Sequence, residues 1–462
     1  MKKVSVSARS KKRAQERSNR REIPPGRLSL AGLVRAEEGE ISGRIFVDPE
    51  IYELERERVF GKAWLFVAHE SEIPKPGDFV TRKMGEDPVI VWRGQDGKVR
   101  VFLNVCRHRG RKVCGEDVGS AAQFRCPYHG WTYSNKGELI AVPFYEGYQG
   151  RLDKGELGLY EAPKVESYGG MVFASWEKGK GSLGEYLGEM KWVMDLLFRR
   201  SDGMEVVGAP MRWEVDANWK LGAANFAGDG THVYTTHGFE TALGLRTMRG
   251  RSEKERPANY VFVTGEGHCA ALVAAPPDDP AKPYLALPQA LWPEVESRLS
   301  REQLDLLRPL ASVVGNLFPN LSFLCNAKQP VPGGAGELVS FFTLRQWQPL
   351  GPDRMEVWSW CLVDKGAPEE WKKASFLCYS RLFGAAGMFE QDDLENWGEV
   401  THALRGPIAR RLRLQFKLGL TMNPARDWPG PGIAYRQNTP VDFSERSFYR
   451  RWQERIARDG DS

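Results

Sequence analysis

Two short Cys/His clusters constrain this chain more than any other feature. Cys106-x-His108 is followed, after 17 intervening residues, by Cys126-x-x-His129. Each cluster pairs one thiol with one imidazole in a glycine-punctuated stretch. A centre that needs two thiolates and two imidazoles can draw one of each from two apposed loops, so the fold has to bring these loops together. Two groups take such a set: a tetrahedral zinc ion, or a [2Fe–2S] cluster with both Cys on one iron and both His on the other. A zinc finger of this composition ends in two closely spaced histidines, whereas here Cys and His alternate, which favours the iron–sulfur cluster.

The period around these loops is that of short strands. Residues 88–92 and 99–103 flank Gln95-Asp96-Gly97, a hairpin signal, and 170–176 reads as the closing strand of a small all-β domain over residues 62–180. Earlier, Asp48-Pro49 predicts a helix with Asp48 as N-cap and Ile51, Leu54 and Phe60 on one face. Beyond residue 180, stretches 183–199, 292–310 and 371–389 read as helices, and 211–216, 260–264, 338–346 and 355–363 as strands. Helices and strands are segregated and hairpin-linked, the pattern of an antiparallel α+β fold. The 15 Trp, 14 Tyr and 22 Phe are ample for such cores. The longest apolar run, 269–275, falls far short of the roughly 18 residues that span a bilayer. Seven thinly spread cysteines and no apolar leader segment point to a cytoplasmic, reducing setting. Residues 1–27 carry ten basic and two acidic side chains, so the net charge of +5 divides into +8 here and −3 over the other 435 residues. With no aromatic residue among those charges, the segment reads as a solvated, disordered tail and not as a nucleic-acid-binding element.

A second constellation begins at Asn225-Phe226-Ala227-Gly228-Asp229-Gly230-Thr231-His232 and reaches His237. Side chains five residues apart stand about 140° apart on a regular helix. Both imidazoles can therefore meet one metal only where the helix distorts or breaks, as Thr235, Thr236 and Gly238 permit. Asp229, three residues before His232, can accept an imidazole N–H and fix the tautomer. Far downstream, Glu390-Gln391-Asp392-Asp393-Leu394-Glu395-Asn396-Trp397 offers carboxylates. Two His and one carboxylate on one face of a metal form the facial triad of non-haem Fe(II) oxygenases, which leaves positions open for O2. Spacing does not separate Asp392 from Asp393.

Taken together, the residues resemble a known family. Cys106-Arg107-His108-Arg109-Gly110 and Phe124-Arg125-Cys126-Pro127-Tyr128-His129-Gly130-Trp131-Thr132-Tyr133 look like the Rieske signature. The patterns Asn-Phe-x-Gly-Asp-x-x-His-x4-His and Asp-Asp-x-Glu-Asn-Trp resemble, in the same order, the large (α) subunits of Rieske non-haem iron aromatic-ring-hydroxylating dioxygenases. The resemblance runs from about Gly43 to the Arg446–Trp452 stretch. It implies one Rieske [2Fe–2S] cluster on Cys106, His108, Cys126 and His129, and one mononuclear Fe(II) on His232, His237 and Asp393. It also implies residues 28–61 packing with a catalytic domain over 181–462, built as an antiparallel sheet flanked by helices in a helix-grip (START-like) arrangement. The implied reaction inserts both atoms of O2 into an aromatic ring, giving a cis-dihydrodiol, with NADH supplying electrons through a ferredoxin, a flavin reductase or both.

The resemblance further implies a trimeric core (three α subunits, alone or joined by three copies of a small β subunit) in which the cluster of one subunit faces the mononuclear iron of its neighbour. Asp229 then acquires a catalytic part, linking His232 to His129 of the partner subunit. Asn225, Phe226, Phe383 and Phe389 are implied to line the substrate cavity. No Arg or Lys occurs in 225–238 or 383–397, which tilts the expectation towards a neutral aromatic hydrocarbon. The same ligands serve Rieske oxygenases of aromatic acids, monooxygenases and demethylases. Readings from other classes are a Rieske electron carrier, which needs no second metal site, and a zinc-stabilised nucleic-acid-binding protein, which would employ the basic tail.

Overall fold

The computed structural model describes residues 30–179, 181–238, 259–275, 283–329, 337–436 and 440–457; the basic tail, residues 1–27, lies outside them. Short β-branched runs separated by glycine turns fold the first half into antiparallel hairpins. Strands Asp78–Met84, Asp87–Arg93, Val99–Leu103 and Val118–Ser120 form one sheet, with Gly97 at φ +79° in the second hairpin turn. Gln123–Arg125, Thr132–Ser134 and Leu139–Ala141 form a second sheet, and Leu65–His69 pairs with Met171–Ser175 in a third. Asp48 caps the helix Pro49–Glu55, accepting from the Glu50 N–H at 3.1 Å, with Pro49 at the first position.

The second half is built on a nine-stranded antiparallel sheet. Its centre is the long ribbon of Val339–Gly351 and Arg354–Asp364, continued by Leu321–Lys328, Leu310–Leu317, Cys269–Ala274, Tyr260–Val263 and Ile433–Arg436. Alternation along the ribbon assigns its two faces. Arg345 and Trp347 contact Phe226 of the helix Trp219–Gly228 (α1), whereas Gln346 donates to the Phe66 carbonyl at 2.8 Å and Gln348 reaches the Gly85 carbonyl. Trp358 and Trp360 on the neighbouring strand take the Arg82 guanidinium, 4.8 Å and 5.9 Å from their rings. The sheet is thus covered on one face by the hairpin-rich half and on the other by helices. With both faces covered, the strands at 269–274, 310–317 and 321–328 are largely buried or half-buried throughout and carry no regular period-2 signal in the sequence.

All three helices expected beyond residue 180 divide. The 183–199 pattern is Leu183–Leu187 and Met190–Phe198, parted at Gly188 with φ +49°. The 292–310 pattern is two helices, Trp292–Arg298 and Arg301–Leu307, because Ser300 and Gln303 form a capping box that starts a new helix, and Leu310 already belongs to a strand. The 371–389 pattern breaks between Glu369–Phe383 (α2) and Met388–Leu404 (α3). The bend is close-packed: a Cβ at Gly384 would meet the Ser380 carbonyl oxygen at 2.5 Å, and one at Gly387 the Leu382 carbonyl oxygen at 2.5 Å.

The helix Phe443–Ala457 (α4) lies against α1. Both are tied to the N-terminal segment by Glu55, which accepts from Trp219 Nε1 at 2.9 Å, Trp452 Nε1 at 2.7 Å and the fully buried Lys220 ammonium. The base of the helix that leads to Asp229 is therefore fixed by a charge-assisted hub.

His268 is a buried ionisable group with both ring nitrogens used. Its Nε2–H donates to the Tyr186 carbonyl at 2.8 Å, and Nδ1 accepts from the Phe318 N–H at 2.9 Å. Burial holds its pKa down at about 4. An unfolded-chain His takes its proton near pH 6.5, so the unfolded state binds more protons between those values and stability falls as pH drops through that window, by about 2 kcal/mol from pH 7 to pH 5. The thermal midpoint of His268→Gln is expected to fall less over that pH step than that of the wild type. An unchanged slope would remove His268 from the acid response.

Candidate metal centres

The two Cys/His loops are built alike. In the first, the Cys106 N–H donates to the Arg111 carbonyl at 2.8 Å and the Gly110 N–H to the Cys106 carbonyl at 2.9 Å; in the second, Cys126 donates to Trp131 and Gly130 to Cys126 at the same two distances. Gly110 and Gly130 sit at φ +75° and +74°, where a side chain would be strained. Each loop closes around its own cysteine and turns its histidine outward. Cys106 and Cys126 are buried, and His108 and His129 are half-buried, with ring centroids 4.5 Å apart. Trp131 stacks on His108 at 4.9 Å, and His108 Nδ1 is buried with no hydrogen-bond partner among the described residues.

The Tyr133 hydroxyl accepts from the Arg107 N–H at 3.0 Å and stands 3.3 Å from Cys106 Sγ. Burial pushes the Cys106 thiol up, with Tyr133 as the leading opposing influence. Buried thiols inside and imidazoles outside match the [2Fe–2S] ligand set, and a hydroxyl donating to a ligand sulfur raises a cluster's potential. Tyr133 lies within the recognised motif, but nothing in the sequence says that its hydroxyl faces the sulfur.

The second centre forms where α1 ends. Gly228 at φ +141° lies so close to α4 that a Cβ would meet Ser444 Oγ at 3.0 Å, and Asp229 turns the chain out as the C-cap. Asp229 Oδ1 accepts from the N–H groups of Thr231 at 2.8 Å and His232 at 3.3 Å, while Oδ2 faces His232 Nδ1 at 3.2 Å. The helix thus breaks before His232, and a short turn, His232–Tyr234, swings His237 back towards it. The Asp229–His232 pairing comes from this turn and not from a shared helical face.

Asp393 Oδ1 lies 3.7 Å from His232 Nε2 and 3.3 Å from His237 Nε2, while Asp392 Oδ2 lies 3.5 Å from His237 Nδ1. The Asp393 side chain is buried, 4% exposed against 38% for Asp392. Each imidazole therefore turns Nε2 to the shared carboxylate and Nδ1 to a carboxylate of its own, the arrangement by which outer groups orient metal ligands. His232, His237 and Asp393 are, among the described residues, the His/Cys/Asp/Glu group whose ligand atoms all lie within 4.8 Å of one another. Three such donors on one side fit an Fe(II) ion with open positions. Burial works to lower the His232 pKa, but the Asp229 and Asp393 carboxylates outweigh it and raise it; the same pairing holds Asp229 below the usual carboxylate range despite its burial.

Three of the four expected cavity residues meet beside His237. Phe389 packs edge-on to His237 at 4.8 Å and stacks on Phe383 at 5.2 Å, and Phe383 lies 6.3 Å from Phe226. Asn225, the fourth, lines a groove of about 590 Å³ with Asp229, Trp397, Lys417, Asp442 and Glu445. Arg345 lies outside both sequence windows around the triad: it arrives from the sheet behind Phe226 and Phe383 and is fully buried against Glu390.

Two apposed loops that each offer a Cys and a His, together with a triad of two imidazoles and one carboxylate in the same α+β chain, define a Rieske-type oxygenase. Residues 63–154 match the Rieske [2Fe–2S] domain, and residues 203–457 match the ring-hydroxylating α subunit catalytic domain. The chain belongs to the ring-hydroxylating oxygenase α subunits. It is 37% identical to biphenyl 2,3-dioxygenase subunit alpha of Rhodococcus jostii (92% of this chain, 90% of that one) and 36% identical to N,N-dimethyl phenylurea N-demethylase subunit alpha of a Sphingobium species (92% and 93%). The crystal structure of naphthalene 1,2-dioxygenase from a Rhodococcus species, with indole bound, superposes with a TM-score of 0.86 at 42% identity, covering 90% of this chain and 94% of that one. No helix among the described residues is long and apolar enough to cross a membrane.

Proposed function

We propose that this chain is the α subunit of a terminal oxygenase that cis-dihydroxylates a neutral aromatic ring: arene + O2 + NADH + H+ gives cis-dihydrodiol + NAD+. The observation that carries the proposal is the aromatic wall of Phe226, Phe383 and Phe389 leading to His237; the buried Arg345 behind it is already matched by Glu390, and the half-buried Lys328 ammonium lies 5.7 Å from the Phe389 ring. The cluster domain is taken as residues 62–180 and the catalytic domain as 181–462. When bound, the metals supply one-electron storage on Cys106, His108, Cys126 and His129, and O2 activation on His232, His237 and Asp393. The chain's residues bind and orient: the phenyl rings hold the substrate, Asp392 and Asp229 set the imidazoles, and Tyr133 donates to Cys106.

Electrons reach the cluster from NADH through a ferredoxin, a flavin reductase or both, in a cytoplasm whose reducing conditions suit seven free cysteines. The oligomer is a trimer completed by a small β subunit, with electrons passing between copies. Two observations support that reading. The nine-stranded sheet stands between the hairpin-rich half and the helices that carry the triad. The ligand loops also expose Arg107, Arg109, Arg111, Lys112 and Arg125, a surface complementary to a groove bordered by Asp229 and Asp442.

A second reading, oxidative N-demethylation, is favoured by the phenylurea demethylase relative. Naphthalene, biphenyl, benzoate, phthalate and an N,N-dimethyl phenylurea, supplied in parallel with 18O2 to the reconstituted enzyme, separate the possibilities. A doubly labelled cis-dihydrodiol from a hydrocarbon is the expected result. Formaldehyde from the phenylurea with no dihydrodiol from any arene would overturn the proposal.

A further inference from the structure

Arg345 and Glu390 are both fully buried, and their charges meet between the central strand and the first turn of α3. The same guanidinium donates to the carbonyl of Phe383, the last residue of α2. Arg345 therefore bridges the two ends of the Gly384–Gly387 bend, whose own closure is a hydrogen bond from Gly387 N–H to the Gly384 carbonyl at 2.8 Å. Its guanidinium carbon lies 5.2 Å from the Phe383 ring and 5.4 Å from the Phe226 ring, directly behind the aromatic wall. On the far side of the bend, Phe389 precedes Glu390 and Asp393 follows it by three residues, on the same side of α3.

A buried ion pair is weak support for stability, since apolar residues of equal volume often serve as well. This pair is also incompletely satisfied: Arg345 Nε and Glu390 Oε1 have no hydrogen-bond partner among the described residues. Such a device, kept beside a reacting centre, calls for a reason other than stability. Its geometry provides one. The position of Phe383 is referred to the sheet through its carbonyl, and the positions of Phe389 and Asp393 through Glu390, both by one rigid planar fork.

We propose that Arg345 is a positioning residue that, through the Phe383 carbonyl and the Glu390 carboxylate, fixes the Phe383–Phe389 wall and Asp393 in register, and so sets which carbons of the substrate face the metal. The statement about regiochemistry rests on the arene-dihydroxylase reading; the statement about Asp393 does not. Lysine at this position keeps the charge but loses the fork that can hold both acceptors at once.

The test uses the full-length, cluster-loaded oxygenase and the variants Arg345→Lys, Arg345→Met and Glu390→Gln, with Arg200→Lys as comparator. Arg200 forms an equally buried pair with Asp364 on the same sheet, away from the triad. Three quantities are read: Co(II) affinity at the mononuclear site, the regioisomer ratio of products from biphenyl, and product formed per O2 consumed. Arg345→Lys is expected to weaken Co(II) binding about 10-fold, in the range for groups that orient ligands. It is also expected to change the regioisomer ratio and to lower coupling several-fold, with the cluster spectrum intact. Arg200→Lys should lower the thermal midpoint and leave all three at wild-type values. Should Arg345→Lys and Glu390→Gln lower only the thermal midpoint, with affinity, ratio and coupling unchanged, the pair is structural and the proposal fails. If the wild type yields no dihydrodiol from biphenyl or any other arene, the function reading fails, while Co(II) affinity still decides whether Arg345 positions Asp393.

Discussion

Replacing Asp229 with alanine is expected to leave the cluster and the mononuclear metal in place and to lower product formation by at least about 100-fold, the upper end for loss of a group that orients a metal ligand. The side chain does three things in this structure. Its Oδ1 holds the N–H groups of Thr231 and His232, its Oδ2 faces His232 Nδ1, and it borders the groove to which the cluster loops of a second copy are proposed to dock. Asp229→Asn separates these roles, because an amide oxygen still accepts the two backbone N–H groups but carries no charge to complement His232. The asparagine variant is expected to keep the metals and the fold and still to lose most of its turnover. Iron and sulfide content, read together with product rate, checks both variants. Wild-type product formation in metal-replete Asp229→Ala would remove Asp229 from the electron path.

Asp393→Ala is the second large effect. The expected outcome is loss of the mononuclear iron alone, so that iron falls from three atoms to two per two sulfides while the cluster spectrum stays unchanged and no product forms. Its neighbour gives the contrast. Asp392 lies on the outer nitrogen of His237 and is far more exposed, so Asp392→Ala should retain the iron with an affinity lowered by about 10- to 100-fold. Metal analysis after desalting distinguishes the two. An Asp392→Ala protein without iron beside an iron-replete Asp393→Ala would exchange the two roles.

These adjacent acids mark the limit of what sequence conveys. The motifs carried the ligand types and the antiparallel α+β class, because Cys, His and carboxylate spacing is a local property and strand period survives in the hairpin-rich half. That no regular helix could run from His232 to His237 was legible as a requirement: two imidazoles about 140° apart on a helix cannot share a metal. That the helix already ends at Gly228, before His232, was not legible, since Gly228 at φ +141° is packed against α4, more than 200 residues away. The same holds for Arg345, which enters the site from a strand about 40 residues before α3. Asn225 illustrates the converse: adjacent to Phe226 in sequence, it lines the groove beside Asp229. The expected single helix over 371–389 failed because helical period continues across Gly384–Gly387, and only the close backbone contacts of the bend reveal the break.

Everything above depends on one chain carrying both a Rieske cluster and a separate mononuclear iron. Anaerobic reduction of the purified protein, followed by absorption and EPR together with iron, zinc and sulfide analysis, measures this directly. The expected result is a coloured protein whose visible absorption bleaches on reduction as a [2Fe–2S] EPR signal appears, with three irons and two sulfides per chain. A colourless, EPR-silent protein holding stoichiometric zinc would contradict it.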